Sequence, residues 1–229
     1  MKLVIGNKVY SSWSLRPWIV MKAFAISFEE TVVSLRWVDT RDRILAHSPS
    51  GKVPALIDDG VTVWDSLAIM EYLADKFPQH AIWPKNRLAR AHARCVSAEM
   101  HSGFQALRNA CSMNVTRRFK ERDRGEAVAA DVARITAIWH EAREKFGAKT
   151  GKPFLYGEFS AADGMYAPVV SRFHGYSIAV DPVAQAYIDA MLAHPAYKAW
   201  LVGAVAETWG LDNGEDTETV IEDLRAKKA

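Results

Sequence analysis

Cysteine is nearly absent from this chain of 229 residues, with only Cys95 and Cys111 present. Two thiols cannot build a disulfide framework. They read as reduced side chains on helices, as expected of a cytoplasmic protein. No run of about 18 apolar residues is present, so no membrane-spanning helix is expected. The start, Met1 to Asn7, turns polar too soon for a secretory signal. Neither sign of charge dominates, because the formal net charge is only +2. Composition therefore gives no electrostatic case for a nucleic-acid or membrane partner. Internal repeats and low-complexity segments are missing. His140, His174 and His194 lack metal-ligand spacing, so no metal is expected. The chain that remains is an ordinary soluble globular one, long enough to bury a sizeable core.

The most informative stretch runs from Gly51 to Leu73. Ala55-Leu56-Ile57 fits a buried strand. Asp58-Asp59-Gly60 supplies a tight hairpin turn in which Gly tolerates positive φ, and Thr62-Val63-Trp64 fits the returning strand. Asp65 or Ser66 then caps a helix whose apolar residues Leu67, Ile69, Met70 and Leu73 lie mostly on one face. Pro54 stands directly before a strand, where it cannot donate to the ladder. A cis Val53–Pro54 bond is one way to turn the chain there. In that case the N–H and C=O of Val53 would face outward to pair with an extended peptide-like ligand. The helix N-terminus with the Ser66 hydroxyl could hold a carboxylate. Together these groups would grip a small acidic peptide.

Gly51-Lys52-Val53-Pro54-Ala55-Leu56 followed by Asp65-Ser66-Leu67-Ala68-Ile69 resembles the glutathione-binding segment of the cytosolic glutathione S-transferase family. Both halves occur in order, joined by a hairpin of suitable length. The resemblance implies a thioredoxin-like α/β N-terminal domain followed by an all-α C-terminal domain. The surrounding pattern agrees. Leu3-Val4-Ile5 reads as a central strand. Ser14 reads as the N-cap of a helix with Pro17 in its first turn, running to about Ala25. Thr31-Val32-Val33 reads as a second strand, giving a right-handed βαβ unit. Arg41 to His47 reads as a short helix or turn. This domain is expected over residues 1–77, with a proline-marked linker at 78–86.

Residues 87–229 read as all-helical, with no convincing strand. Helices are expected from Arg87 to about Met113, from Glu126 to Phe146, from Pro182 to Leu192 and from Ala196 to Ala206. Ser160 and Asp163 form a capping box at the start of another helix. Asp163 there resembles the family's buried structural aspartate, and Pro168 implies a kink or break. The charged tail after Gly210 reads as a solvated, partly ordered end.

The loop Tyr10 to Ser14 joins the first strand to a helix N-terminus, where an α/β sheet binds ligands. A thioredoxin would carry Cys-x-x-Cys here. This chain carries Ser-Ser-Trp-Ser, so exchange by protein thiols has no cysteine to use. A hydroxyl can instead donate to a ligand thiolate, and the helix dipole favours the same anion. Free thiols titrate near ~8.5, and lowering that by about two units takes roughly 2.7 kcal/mol. One charge-assisted hydrogen bond plus a helix N-terminus can supply that.

Tyr10-Ser11-Ser12-Trp13-Ser14-Leu15-Arg16 resembles the S-S-C-S-W-R segment of zeta-like transferases. Aligned on Arg16, the family's catalytic serine falls on Ser11. Ser12 is the second candidate and Tyr10 the third. Trp13 departs from the zeta pattern, which has Cys there. The resemblance further implies that Val53 pairs with the cysteinyl unit of glutathione, beside Pro54, and that Asp65 and Ser66 hold the γ-glutamyl end. Lys52, and less directly His47, would meet the glycyl carboxylate. The electrophile would lie between the domains against Tyr10 and Trp13, with Phe104, Arg108 and Cys111 either lining it or serving as core and surface. Arg172 could anchor an acidic substrate, although the zeta arginine aligns with Gly175. The expectation is a glutathione transferase with glutathione as co-substrate, acting on a small hydrophobic electrophile as a homodimer. The alternatives are a glutathione-dependent isomerase of the maleylacetoacetate type and a non-catalytic glutathione-binding protein on the same fold.

Overall fold

A computed structural model of the chain describes residues 1–208 and 217–225. The apolar run at the start forms strand β1 (Lys2–Gly6), with Leu3, Val4 and Ile5 fully buried. Helix α1 (Ser12–Ala23) returns the chain to β2 (Glu29–Val33), which lies parallel to β1. A short helix α2 (Thr40–Leu45) precedes β3 (Ala55–Asp58) and β4 (Val61–Trp64), which form an antiparallel hairpin. Asp59 and Gly60 both take positive φ, +46° and +78°, as a two-residue turn of matching twist requires. Helix α3 (Ser66–Lys76) closes the unit, and the sheet order is β2-β1-β3-β4.

Helix α1 begins earlier than expected. The Ser11 carbonyl accepts from the Leu15 N–H at 3.1 Å, so Ser11 is the N-cap and Ser14 lies inside the first turn. Pro17 consequently sits within the helix rather than in its first turn, facing the Trp13 carbonyl without an N–H to offer.

In the second half, Asn86 caps α4 (Arg87–Ser102) by accepting from the N–H groups of Leu88 and Ala89. The helix expected to reach Met113 instead breaks at Gly103-Phe104. Phe104 takes a left-handed conformation, φ +60°, and a second helix, α5 (Gln105–Ala110), starts in a new direction. Strand β5 (Arg117–Phe119) follows, then α6 (Glu126–Ala142), prolonged by a π-helical turn over Arg143–Gly147. Helix α7 (Ala161–Gly175) carries the expected capping box of Ser160 and Asp163. It continues through Pro168 without a break, because every residue from Ala161 to Phe173 is buried and packing holds the helix on all sides. Gly164 allows the close approach of α1: a Cβ there would sit 2.5 Å from Val20 Cγ2. Helices α8 (Pro182–Ala193) and α9 (Pro195–Ala206) complete the helical layer.

The second half is mostly helical but not strand-free. Strand β6 (Val220–Asp223), from the charged tail, pairs antiparallel with β5. Charge rather than apolar periodicity holds it. Arg117 binds Asp223, and Glu218 is gripped by Arg122 and Arg124 at 2.7 and 2.9 Å. The rest of the tail, residues 211–216 and 226–229, lies outside the described residues. One apolar core runs from β1, α1 and α3 through α4, α6 and α7 to Trp200 on α9. A smaller cluster of Val4, Val33, Ile44 and Ala55 fills the other face of the sheet.

The two arginines hold the Glu218 carboxyl down at about 2. Its folded pKa is depressed, so the stability it contributes is present above the ordinary carboxylate value and is lost as pH falls towards 2. Charge-assisted bonds of this kind contribute about 2 kcal/mol. Glu218→Gln should lower stability by that order at neutral pH and by much less near pH 3. Chemical denaturation at the two pH values checks this.

Candidate functional site

The residues around the Gly51–Ser66 stretch enclose a cavity of about 770 Å³, with Trp13, Lys52, Val53, Pro54, Asp65 and Ser66 in its wall. The Val53–Pro54 peptide is cis. Val53 makes no backbone hydrogen bond among the described residues, so its N–H and C=O remain open beside the cavity. Ser66, fully buried, begins α3. Asp65 is its N-cap, accepting from the Leu67 N–H at 2.8 Å. Asp65 holds φ +75°, a conformation that costs a non-glycine residue about 1–3 kcal/mol. Such strain persists where a site needs a side chain in a fixed place.

Three residues of this site were not singled out from the sequence. Arg16 is buried beneath it and donates from Nη1 to Ser66 Oγ at 3.3 Å. Burial, with Arg108 and Arg172 nearby, holds its guanidinium well below the ordinary arginine value, while Asp65 opposes that shift. Its Nε has no partner among the described residues. His101, on α4, places Nε2 2.7 and 2.9 Å from the two Asp65 oxygens and faces the cavity. Trp64, at the end of β4, completes the wall. Three side chains pack on Trp13: Arg16 lies 4.2 Å and Arg108 5.0 Å from the centre of its ring, and His101 meets it in a T-shaped contact at 5.1 Å.

The structure places Ser11 and Ser12 at the start of α1, next to Trp13 but not in the cavity wall. Ser11 Oγ donates to Ser14 Oγ at 2.8 Å, and Ser14 Oγ accepts from the Gly6 N–H at 3.0 Å. The role of Ser14 is therefore to tie β1 to α1. The Ser12 hydroxyl has no hydrogen bond among the described residues. Tyr10 lies half-buried on the loop, outside the cavity wall.

Other expected pocket residues sit elsewhere. Phe104 is packed in the core, because the helix break turns it inward. Arg108 spends its guanidinium on the carbonyls of Gly103, Met100 and His101. Cys111 is buried and its thiol is pushed up to about 11, which makes it a poor nucleophile. Arg172 donates to the Cys111 and Pro168 carbonyls and does not reach the cavity. Half-buried His47 lies outside the wall as well. Among the described residues no group of three His, Cys, Asp or Glu side chains could hold a metal ion. No described helix is long and apolar enough to cross a membrane.

A mixed sheet with a cavity at a cis-proline, packed on a helical layer, is the architecture of the glutathione-transferase fold. Solved structures agree. A glutathione transferase homologue from a Burkholderia, with bound glutathione, superposes at a TM-score of 0.67 with 23% identity, covering 89% of this chain and 97% of that one. A sphingomonad glutathione S-transferase complexed with glutathione gives 0.65 and 25%, covering 90% and 100%. The model of the glutathione S-transferase N-terminal domain matches residues 10–76. The maleylacetoacetate isomerase of Pseudomonas aeruginosa is 30% identical over 163 residues, 67% of this chain and 73% of that protein. A probable maleylacetoacetate isomerase of Caenorhabditis elegans is 36% identical over 105 residues, 44% of this chain and only 49% of that protein. The chain belongs to the glutathione S-transferase family.

Proposed function

We propose that this protein is a glutathione transferase that activates the glutathione thiol at the start of α1 and presents it to a small electrophile. The observation that carries the reading is one cavity joining the open backbone of Val53, the α3 N-terminus at Asp65-Ser66, and the wall formed by Trp13, next to a Ser12 hydroxyl with no hydrogen bond among the described residues. Val53 pairs with the cysteinyl unit. Asp65 faces the γ-glutamyl ammonium. Ser66, held by Arg16, donates to the γ-glutamyl carboxylate, which the α3 dipole also favours. Exposed Lys52 meets the glycyl carboxylate.

Ser12, rather than Ser11, donates to the thiolate, because the Ser11 proton is already committed to Ser14. The thiol loses its proton to solvent. The thiolate then attacks carbon, forming the C–S bond as the leaving group departs or the π pair moves onto the adjacent acceptor. The wall beside Trp13 and His101 receives the electrophile.

A second reading is supported by relatives named as maleylacetoacetate isomerases. There the thiolate adds to a cis double bond conjugated to a carbonyl, the new single bond rotates, and the thiolate leaves. Glutathione is not consumed. The readings separate on stoichiometry: a transferase consumes one glutathione per activated aryl halide, whereas an isomerase returns it. Ser66→Ala removes one hydrogen bond to a charged group, worth about 1.5–3 kcal/mol. It should raise the glutathione dissociation constant about 10–100-fold by calorimetry. An unchanged constant would count against placing the γ-glutamyl end here.

A further inference from the structure

The loop that presents Ser11 and Ser12 is not held by its own domain alone. Four consecutive backbone groups just before it are bound by the helical half. The Lys8 N–H donates to Glu207 Oε1 at 2.5 Å and the Val9 N–H to Glu207 Oε2 at 3.2 Å. The Lys8 carbonyl accepts from Trp200 Nε1 at 2.9 Å, and the Val9 carbonyl accepts from the Val115 N–H at 3.2 Å. The Lys8 side chain lies across α9, where a Cβ on Gly203 would come within 2.7 Å of its Cδ. Its ammonium reaches Glu30 at 2.5 Å, and the same carboxylate accepts from Trp18 Nε1. Glu207 itself stands at the end of α9 and lines none of the described cavities.

We propose that Glu207 is a positioning residue for thiol activation. Its carboxylate fixes the register of Lys8-Val9 and hence the place of the Ser12 hydroxyl at the α1 N-terminus. The reason is geometric. A hydroxyl that stabilises a thiolate must be held within about 0.5 Å by groups whose own positions are locked. Within the loop, the N–H groups of Tyr10 and Ser11 both turn back onto the Asn7 carbonyl, at 3.3 and 2.8 Å. The loop is thus a rigid turn, and Glu207 and Trp200, with Val115, set where that turn sits relative to α9. Both amide N–H groups lose their acceptor when the carboxylate is removed, and only the bonds from Trp200 and Val115 to the two carbonyls then hold the turn in place. The inference rests on the reading that this protein activates glutathione.

The test uses the full chain carrying Glu207→Ala, with Glu207→Gln beside it. The bound thiol is titrated by its thiolate absorption, and glutathione affinity and thermal melting are measured on the same samples. Glu207→Ala should raise the bound thiol pKa by about one unit. Its glutathione affinity should change little, because the γ-glutamyl contacts are untouched. Glu207→Gln, which keeps one acceptor oxygen, should fall between. Glu207→Gln carries the test if Glu207→Ala prevents folding, because it keeps an acceptor for one of the two amides. A bound thiol pKa unchanged from wild type in folded Glu207→Ala, or in Glu207→Gln where Glu207→Ala does not fold, would overturn the proposal while leaving thiol activation standing. An unshifted thiol in the wild type itself would overturn both.

Discussion

Ser12→Ala is expected to lower turnover at neutral pH by about 10²-fold while leaving glutathione bound. Removing one donor aimed at a developing anion has an effect of that size in other enzymes. The expectation is specific to this loop. Ser12 is the first residue of α1 and its hydroxyl has no partner among the described residues. Ser11 donates to Ser14, and Ser14 in turn holds Gly6. Ser11→Ala should therefore disturb the junction of β1 and α1 more than the thiolate, and show mainly as lost stability. The bound thiol pKa separates the two variants, rising by about one to two units in Ser12→Ala. Were the rise found in Ser11→Ala instead, the hydrogen bond to Ser14 would have to break on glutathione binding, and the assignment would pass to Ser11.

Asp163→Ala is expected to have the largest effect on stability. Asp163 is fully buried at the start of α7, the helix around which both halves pack. Its carboxylate accepts from the Ser160 N–H at 2.8 Å, the Ser160 hydroxyl at 2.9 Å and the Leu155 N–H at 3.1 Å. Alanine leaves all three donors buried without an acceptor, at about 1–3 kcal/mol each. A loss of about 3–5 kcal/mol is expected, a large share of the roughly 5–15 kcal/mol by which domains are stable. Urea unfolding of the two proteins measures it.

Burial pushes the Asp163 carboxyl up to about 6. The folded state binds this proton more tightly than the unfolded state, so by linkage the contribution is greatest below the ordinary aspartate value and is lost as pH rises through about 6. Asp163→Asn, which cannot titrate, should therefore lose ground to the wild type as pH falls from about 7 to about 4. Parallel urea titrations across that range check the sign.

The fold was legible where local chemistry and global packing agreed. The hairpin turn at Asp58-Asp59-Gly60, the capping box at Ser160 and Asp163, and the glutathione-type segment all announce themselves by residue type and spacing. The break between α4 and α5 does not. Phe104 takes a left-handed conformation that no phenylalanine favours alone, and tertiary packing imposes it. Strand β6 was hidden because salt links such as Arg117 with Asp223 hold it, and they leave no apolar alternation to read. For the site, Lys52 to Pro54 and Asp65-Ser66 lie in two short runs joined by one hairpin and could be found there. Arg16 and His101 are brought to Ser66 and Asp65 by the packing of α1 and α4 on α3, and nothing in their local sequence marks them. Ser14 misled for a related reason. Serine two residues before Arg16 has the residue type of a cap, but its hydroxyl is drawn away to the Gly6 N–H.

Thiol activation is tested most directly by titrating wild-type protein saturated with glutathione, followed by thiolate absorption. A serine-activated thiol predicts a midpoint about two units below the ~8.5 of a free thiol. Binding with a midpoint at the free value would contradict that reading, and would leave a protein that grips glutathione without activating it.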